Sequence, residues 1–128
     1  MTWLRSQAPG ARPLDRVFGL RPEAYARFGE LYDALWDGGV VGATLDACRA
    51  RIDALLRFEP DPTAHLDLGA AQRAAVDYAE QYALDPHELR DEDFVRLHDS
   101  YTDAQLATLT LAVAMFDALA RFSVALEV

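Results

Sequence analysis

Cysteine is nearly absent from this chain of 128 residues, which contains only Cys48. A single cysteine excludes an intramolecular disulfide, and this usage is typical of a reducing compartment. The first residues also lack the apolar core of about 7–15 residues that a secretory signal peptide requires. Both absences predict a cytoplasmic location.

Basic residues are scarce as well. The chain has 12 Lys+Arg against 21 Asp+Glu, which gives a formal net charge of −9. A protein with this charge repels a phosphate backbone unless its cations gather on one face, and here they are spread along the sequence. We therefore expect no nucleic-acid partner.

A long hydrophobic run is missing too. The longest nearly apolar stretch extends from Leu106 to Phe116. This is shorter than the roughly 20 residues that span a bilayer. Extending it takes in Asp117 and Arg121, each of which costs about 2.5–3.5 kcal/mol at the centre of a membrane helix. The sequence therefore predicts a soluble protein that does not enter a membrane.

The motifs of several common catalytic sites are also absent. There is no glycine-rich phosphate loop and no nucleophile elbow. His65, His87 and His98 have no partner at the spacing of a metal site, and the acidic run at 85–93 lacks the glycine and spacing of a calcium loop. These acids fall in expected first helical turns, where the helix dipole favours them. We expect neither a metal nor a cofactor.

Helical periodicity covers most of the chain. Apolar residues recur at three- and four-residue spacing, and no stretch alternates as a strand does. Proline and glycine predict an irregular arm over residues 1–16, whose Trp3 and Leu4 can dock on the rest. Residues 17–128 predict one compact all-α domain of about five to six helices. The expected helices are 22–37, 43–57, 70–83, a short turn capped by Asp85, one capped by Asp91, and 103–125 capped by Thr102 and Gln105.

The last predicted helix is apolar on almost every face in the segment "LTLAVAMF". Such a helix belongs in the middle of a domain or across an interface between subunits. Hydrophobic residues make up 52% of this short chain. We therefore expect a homo-oligomer that hides part of this surface.

Asp117 and Arg121 lie one turn apart on the same helix. Apolar neighbours leave little water around them, so the sequence predicts a structural ion pair, within the helix or between subunits. If the pair is buried, Asp117→Ala is expected to cost about 3–5 kcal/mol. Cys48 also occupies an apolar helix position, where a cysteine usually behaves as a small hydrophobe.

Two segments carry a resemblance to a known family. They are "LDACRARIDALLR" and the longer stretch from "AAQRAAVDYAEQYALDPHELRDEDF" to the C-terminal "LTLAVAMFDALARF". Over most of residues 20–128 the chain resembles the carboxymuconolactone decarboxylase and AhpD-like alkylhydroperoxidase superfamily. The resemblance implies an all-α fold that assembles into trimers or hexamers.

The resemblance also implies a position for the active site. Peroxidase members carry a glutamate followed by Cys-x-x-Cys-x-x-x-His. Aligning the two arginines of "CRAR" with the family signature puts Asp46 at the glutamate, Phe58 and Asp61 at the two cysteines, and His65 at the histidine. Peroxide reduction needs an attacking and a resolving thiol, which Phe58 and Asp61 do not supply. A segment usual in the family after the histidine is missing here, which weakens the register of His65.

Two interpretations of His65 stay open. It is either a loop histidine exposed to water, or part of a polar site with Asp46 and Asp61 in which the two acids raise the histidine pKa. We expect an oligomeric binding or scaffold protein that has lost peroxidase chemistry and takes a small apolar ligand. The enzyme alternatives are a thiol-free proton transfer of the lactone decarboxylase type and a residual peroxidase working through Cys48.

Overall fold

The computed structural model of the chain describes residues 5–128, and within that range it contains helices and no strand. This confirms the all-α prediction with about five to six helices. The helices are α1 (Pro13–Phe18), α2 (Pro22–Trp36), α3 (Gly42–Leu56), α4 (Ala70–Leu84), a 3₁₀ turn (Pro86–Glu88), α5 (Asp91–His98) and α6 (Asp103–Leu126).

Three helix starts follow the predicted local signals. Pro22 stands in the first turn of α2, where its missing N–H is not needed. The Asp85 carboxylate accepts from the His87 amide at 3.0 Å and starts the 3₁₀ turn. At α6, Thr102 Oγ1 accepts from the Gln105 amide at 3.2 Å, while Gln105 Oε1 accepts from the Thr102 amide at 2.9 Å. This reciprocal pair is the predicted capping box.

One predicted helix start and one predicted irregular segment need correction. The residue before α5 is Arg90, whose amide donates to the Asp93 carboxylate at 2.9 Å, so Asp91 lies inside the helix and is not its cap. The arm predicted to be irregular over residues 1–16 contains the start of α1. Pro13 is compatible with a first helical turn and does not indicate a loop here. Trp3 and Leu4 lie outside the described residues.

The short helix α1 is attached to α2 by polar and aromatic contacts. Asp15 accepts from the Arg12 guanidinium at 2.9 Å and from the Tyr25 hydroxyl. The Phe18 ring lies 5.9 Å from the Tyr25 ring and 5.8 Å from the Phe122 ring of α6. The hydrogen bonds from Arg12 and Tyr25 lower the pKa of Asp15 well below its usual value.

Helix α3 lies against both α4 and α6 and forms the centre of the core. Its Leu45, Cys48 and Ile52 have no exposed surface. Helix α4 faces them with buried alanines, whose small side chains allow close approach. Each fully buried leucine or isoleucine contributes about 1.5–3 kcal/mol through removal of apolar surface from water.

The loop between α2 and α3 is fixed to the first turns of α6. Gln105 Nε2 donates to the Gly39 carbonyl at 2.9 Å, and Thr108 Oγ1 donates to the Gly38 carbonyl at 3.4 Å. A Cβ at Gly38 would lie only 2.5 Å from Thr108 Cγ2. The glycine therefore permits an approach of loop to helix that no other residue would allow without movement.

Helix α6 is buried on one side and exposed on the other. Its inward residues include Leu109, Val113 and Phe116, whereas Leu111 and Phe122 are about half exposed. By length and composition this 24-residue helix could cross a membrane, since its most apolar window has a mean hydropathy of 1.7. The sequence predicted no spanning segment because the run from Leu106 to Phe116 is short and its extension takes in the charges of Asp117 and Arg121. One such helix is weak evidence, because a core helix passes the same test.

Candidate functional site

The three residues that the resemblance assigns to catalysis have separate partners. Asp46 is exposed and pairs with Arg49 Nη2 at 2.6 Å. Asp61 Oδ1 accepts from both the amide and the hydroxyl of Thr63, at 2.8 and 2.6 Å. His65 is exposed and makes no hydrogen bond or ion pair with another residue in the range 5–128. No such contact joins the three, and this agrees with His65 as an exposed loop histidine.

Asp61 instead anchors the loop that follows α3. Its Oδ2 lies 3.7 Å from Arg51 Nε, which also donates to Glu80 of α4 at 2.9 Å. Burial raises the pKa of Asp61, but the hydrogen bonds from Thr63 and the charge of Arg51 outweigh this effect and lower the pKa overall. The arrangement is that of a connector tied to two helices.

Phe58 is the unusual residue of this loop. Its ring is 97% exposed and its φ is +56°, in the left-handed region that favours glycine. The Glu59 amide donates to the Ala54 carbonyl at 2.8 Å, and the Phe58 amide to the Leu55 carbonyl at 3.3 Å. These two bonds form a Schellman motif at the end of α3. The sequence contained no signal for this conformation, because glycine usually occupies the position.

Cys48 is enclosed by the core. Its side chain has no exposed surface, and burial raises the pKa of its thiol to about 12. A thiolate is the reactive form of cysteine, and this environment disfavours it. The position therefore offers no support for the residual peroxidase alternative.

A cleft of about 630 Å³ opens between α1, α2, α3 and α6. We call it the aromatic cleft, because Phe28, Tyr32 and Phe116 form its apolar wall. The Phe28 and Tyr32 rings stack with centroids 6.0 Å apart, and Phe116 meets Tyr32 edge-on at 6.1 Å. Such a surface can cover a flat apolar molecule on one side.

The charged face of α3, with Arg49, Asp53 and Arg57 one turn apart, forms a second wall of the aromatic cleft. None of these three residues was predicted as a site residue from the sequence. Arg49 donates to the Tyr32 hydroxyl at 3.0 Å and lies 5.1 Å from the centre of the Trp36 ring.

Asp53 and Arg57 differ from Arg49 in having free polar groups. Neither side chain makes a hydrogen bond or ion pair with any other described residue. Asp53 is half-buried, and burial is the main cause that raises its pKa, against the opposing charges of Arg57 and Arg49. A carboxyl group with a perturbed pKa in a cleft is a frequent property of functional sites.

A smaller apolar pocket lies beside the aromatic cleft. It has a volume of about 210 Å³ and is lined by Phe18, Arg21, Ala24, Tyr25, Phe28, Leu119 and Phe122. Arg21 is its only charged lining residue. We call it the α1–α6 pocket.

The predicted Asp117–Arg121 ion pair is confirmed. Arg121 Nε donates to Asp117 Oδ2 at 2.9 Å, and Arg121 Nη2 donates to the Ala83 carbonyl at 2.9 Å. The side chains are unequally exposed, at 13% for Asp117 and 53% for Arg121. Asp117 Oδ1 is buried without a hydrogen-bond partner. Water therefore reaches the cation, contrary to the expectation that neither charge is solvated.

No cluster of three or more His, Cys, Asp or Glu side chains able to hold a metal ion occurs in the part of the chain from residue 5 onwards. No protein-family model and no curated protein matches this chain. The aromatic cleft is therefore the feature from which a function can be argued.

Proposed function

We propose that this chain is a binding protein, acting as a homo-oligomer, that takes a small amphipathic ligand into the aromatic cleft. The observation that carries the proposal is that an aromatic wall and free charges line the same cleft. Its volume of about 630 Å³ falls in the range of roughly 300–1,000 Å³ that is usual for ligand sites.

The two walls indicate the chemistry of the ligand. Phe28, Tyr32 and Phe116 would cover a flat apolar body and remove it from water. Arg57 would receive an anionic group, because its guanidinium has no acceptor among the described residues. The ligand class is therefore an aromatic or alicyclic body that carries an acidic group.

The loss of peroxidase chemistry belongs to the same proposal. It is supported by the burial of Cys48 and by the absence of a second cysteine in the sequence. Membership of the AhpD-like superfamily, assembly as a trimer or hexamer and a cytoplasmic location stay predictions from the sequence.

Gly29 offers a way to block the cleft without disturbing the fold. It lines the aromatic cleft within α2, and a Cβ placed there meets no atom within 4 Å. Gly29→Leu would put an apolar side chain into the cleft while improving helix propensity by roughly 1 kcal/mol. Gly29→Ala is the matched control, because it gains the same propensity and fills little space.

The experiment is a fluorescence titration with anilinonaphthalene sulfonate, a dye with an aromatic body and one anionic group. We expect saturable binding of one dye per chain to the parent protein and to Gly29→Ala, and at least about tenfold weaker binding to Gly29→Leu, equivalent to 1.4 kcal/mol. Equal binding by a folded Gly29→Leu protein would contradict the proposal. Circular dichroism verifies the fold of each variant.

A second candidate function is favoured by Asp53. A half-buried carboxyl with a raised pKa can act as a general base toward a ligand held on the aromatic wall. This is the thiol-free proton-transfer alternative, with Asp53 in the place of Asp46, Asp61 and His65. It is tested by exchange of carbon-bound hydrogen from a cyclic keto acid into deuterated water, which Asp53→Asn should abolish while dye binding persists.

A further inference from the structure

Phe58 is presented to solvent in a fixed geometry. The Schellman bonds of Phe58 and Glu59 to the end of α3 hold its backbone, and Pro60 restricts the chain that follows. With 97% of its surface exposed, the ring makes almost no contact within its own chain. An aromatic side chain in this state is suited to insertion into a pocket of another molecule.

The α1–α6 pocket is suited to receive such a ring. Its lining is apolar apart from Arg21, and aromatic rings form much of its wall. A dry cavity of about 150 Å³ lined by apolar side chains is enough to hold benzene. The volume of about 210 Å³ therefore leaves room for the ring of one phenylalanine.

The charges next to the ring and next to the pocket are complementary. Glu59 directly follows Phe58 and is exposed, while Arg21 lines the pocket and is exposed. Neither side chain makes a hydrogen bond or ion pair with another described residue. In a chain of net charge −9, a local cation such as Arg21 favours contact between two copies because it offsets part of their repulsion.

We propose that Phe58 of one copy inserts into the α1–α6 pocket of a second copy, and that Glu59 pairs with Arg21 at its edge. The contact joins two different surfaces, so it repeats around a closed ring when the rotation between copies closes. It rests on the assembly part of the proposed function. The α1–α6 pocket shares Tyr25, Phe28 and Leu119 with the aromatic cleft, but Ala24 lines the pocket alone and Gly29 lines the cleft alone. Dye titration and assembly measurements can therefore fail separately.

The test compares the mass of four proteins by multi-angle light scattering over about 1–100 µM, a range that detects dissociation constants of the same order. The parent protein should form oligomers, whereas Phe58→Ala and Ala24→Trp, which fills the pocket, should each be monomers. Val41→Ala is the matched control, because Val41 is another exposed apolar side chain that lies in neither surface. It should assemble as the parent does.

Mixing the two monomeric variants tests the contact itself. Phe58→Ala keeps an intact pocket and Ala24→Trp keeps an intact Phe58, so their mixture should form a heterodimer and nothing larger. Glu59→Arg and Arg21→Glu should each weaken assembly at least about fivefold, and the double variant should restore it.

Three outcomes would overturn the proposal. They are a parent protein that is monomeric throughout the range, a folded Phe58→Ala protein that assembles normally, and a mixture of the two variants that stays monomeric. A monomeric parent whose pocket binds an added phenylalanine-containing peptide would identify a foreign partner instead of a second copy. Circular dichroism spectra matching the parent are required of every variant.

Discussion

Substitution of Asp117 and Arg121 one at a time should give unequal losses of stability, because water reaches only one of the two charges. Arg121 is 53% exposed and also donates to the Ala83 carbonyl, whereas Asp117 is 13% exposed. Arg121→Ala leaves a nearly buried carboxylate without its cation. Asp117→Ala leaves a cation that keeps both its water and its bond to α4.

The magnitudes follow from these environments. Breaking a fully buried ion pair costs about 3–5 kcal/mol, and partial hydration of Arg121 reduces this to about 2–3 kcal/mol for Arg121→Ala. Asp117→Ala should cost only about 0.5–1 kcal/mol, in part because it also removes the unpartnered Oδ1. This corrects the expectation of about 3–5 kcal/mol, which assumed that both charges are buried.

The double variant gives the sharpest result. Adding Asp117→Ala to Arg121→Ala removes the uncompensated carboxylate, so it should recover about 1–2 kcal/mol of the loss. The assay is urea unfolding followed by circular dichroism. An m-value of roughly 1–3 kcal/mol per molar urea converts a shift in the midpoint to a difference in the free energy of unfolding. An Asp117→Ala protein less stable than Arg121→Ala, or a double variant less stable than Arg121→Ala, would refute the reasoning.

Three further predictions concern single positions. Phe58→Gly should stabilise the fold by about 0.5–1 kcal/mol, measured by urea unfolding at submicromolar protein. The left-handed conformation costs a residue with a side chain about 1–2 kcal/mol, and the greater entropy of glycine in the unfolded chain offsets part of the gain. Destabilisation would show that the ring is packed. Cys48 should react with a maleimide near neutral pH only as fast as the protein unfolds, since its thiol pKa is about 12, and rapid labelling of folded protein would contradict its burial. Gly38→Ala should cost about 1–3 kcal/mol by the same unfolding assay, because its Cβ would meet Thr108; an unchanged midpoint would mean that the loop moves freely.

The helices could be predicted from the sequence because their signals are local. Pro22 in a first turn and the reciprocal bonds of Thr102 and Gln105 depend on residues a few positions apart. The start of α1 was missed for a related reason. Pro13 has the same preference in a loop as in a first helical turn, and only contacts with Tyr25, ten residues beyond Asp15, decide between them.

The candidate site could not be predicted in the same way, because its walls come from distant parts of the chain. Phe116 meets Tyr32 across more than 80 positions of sequence, so no local spacing indicates the aromatic wall. The resemblance placed the predicted site in the loop after α3, but Asp61 of that loop binds Thr63 and Arg51 instead. A pattern of residue types gives candidate positions, but long-range packing decides which side chains share a cleft.

The charged face of α3 shows how packing against a distant helix decides which charged side chains stay available in the cleft. Asp46, Arg49, Asp53 and Arg57 are spaced so that each could pair with the next. Arg49 is held by Asp46 on one side and by the Tyr32 hydroxyl and Trp36 ring on the other, which directs its guanidinium to α2. Asp53 consequently has no pairing with Arg49, and its carboxyl group stays available at the wall of the aromatic cleft. Because one arginine is fixed by aromatic neighbours, the ladder of alternating charges ends after its first pair, and Asp53 and Arg57 beyond it form the polar side of the aromatic cleft.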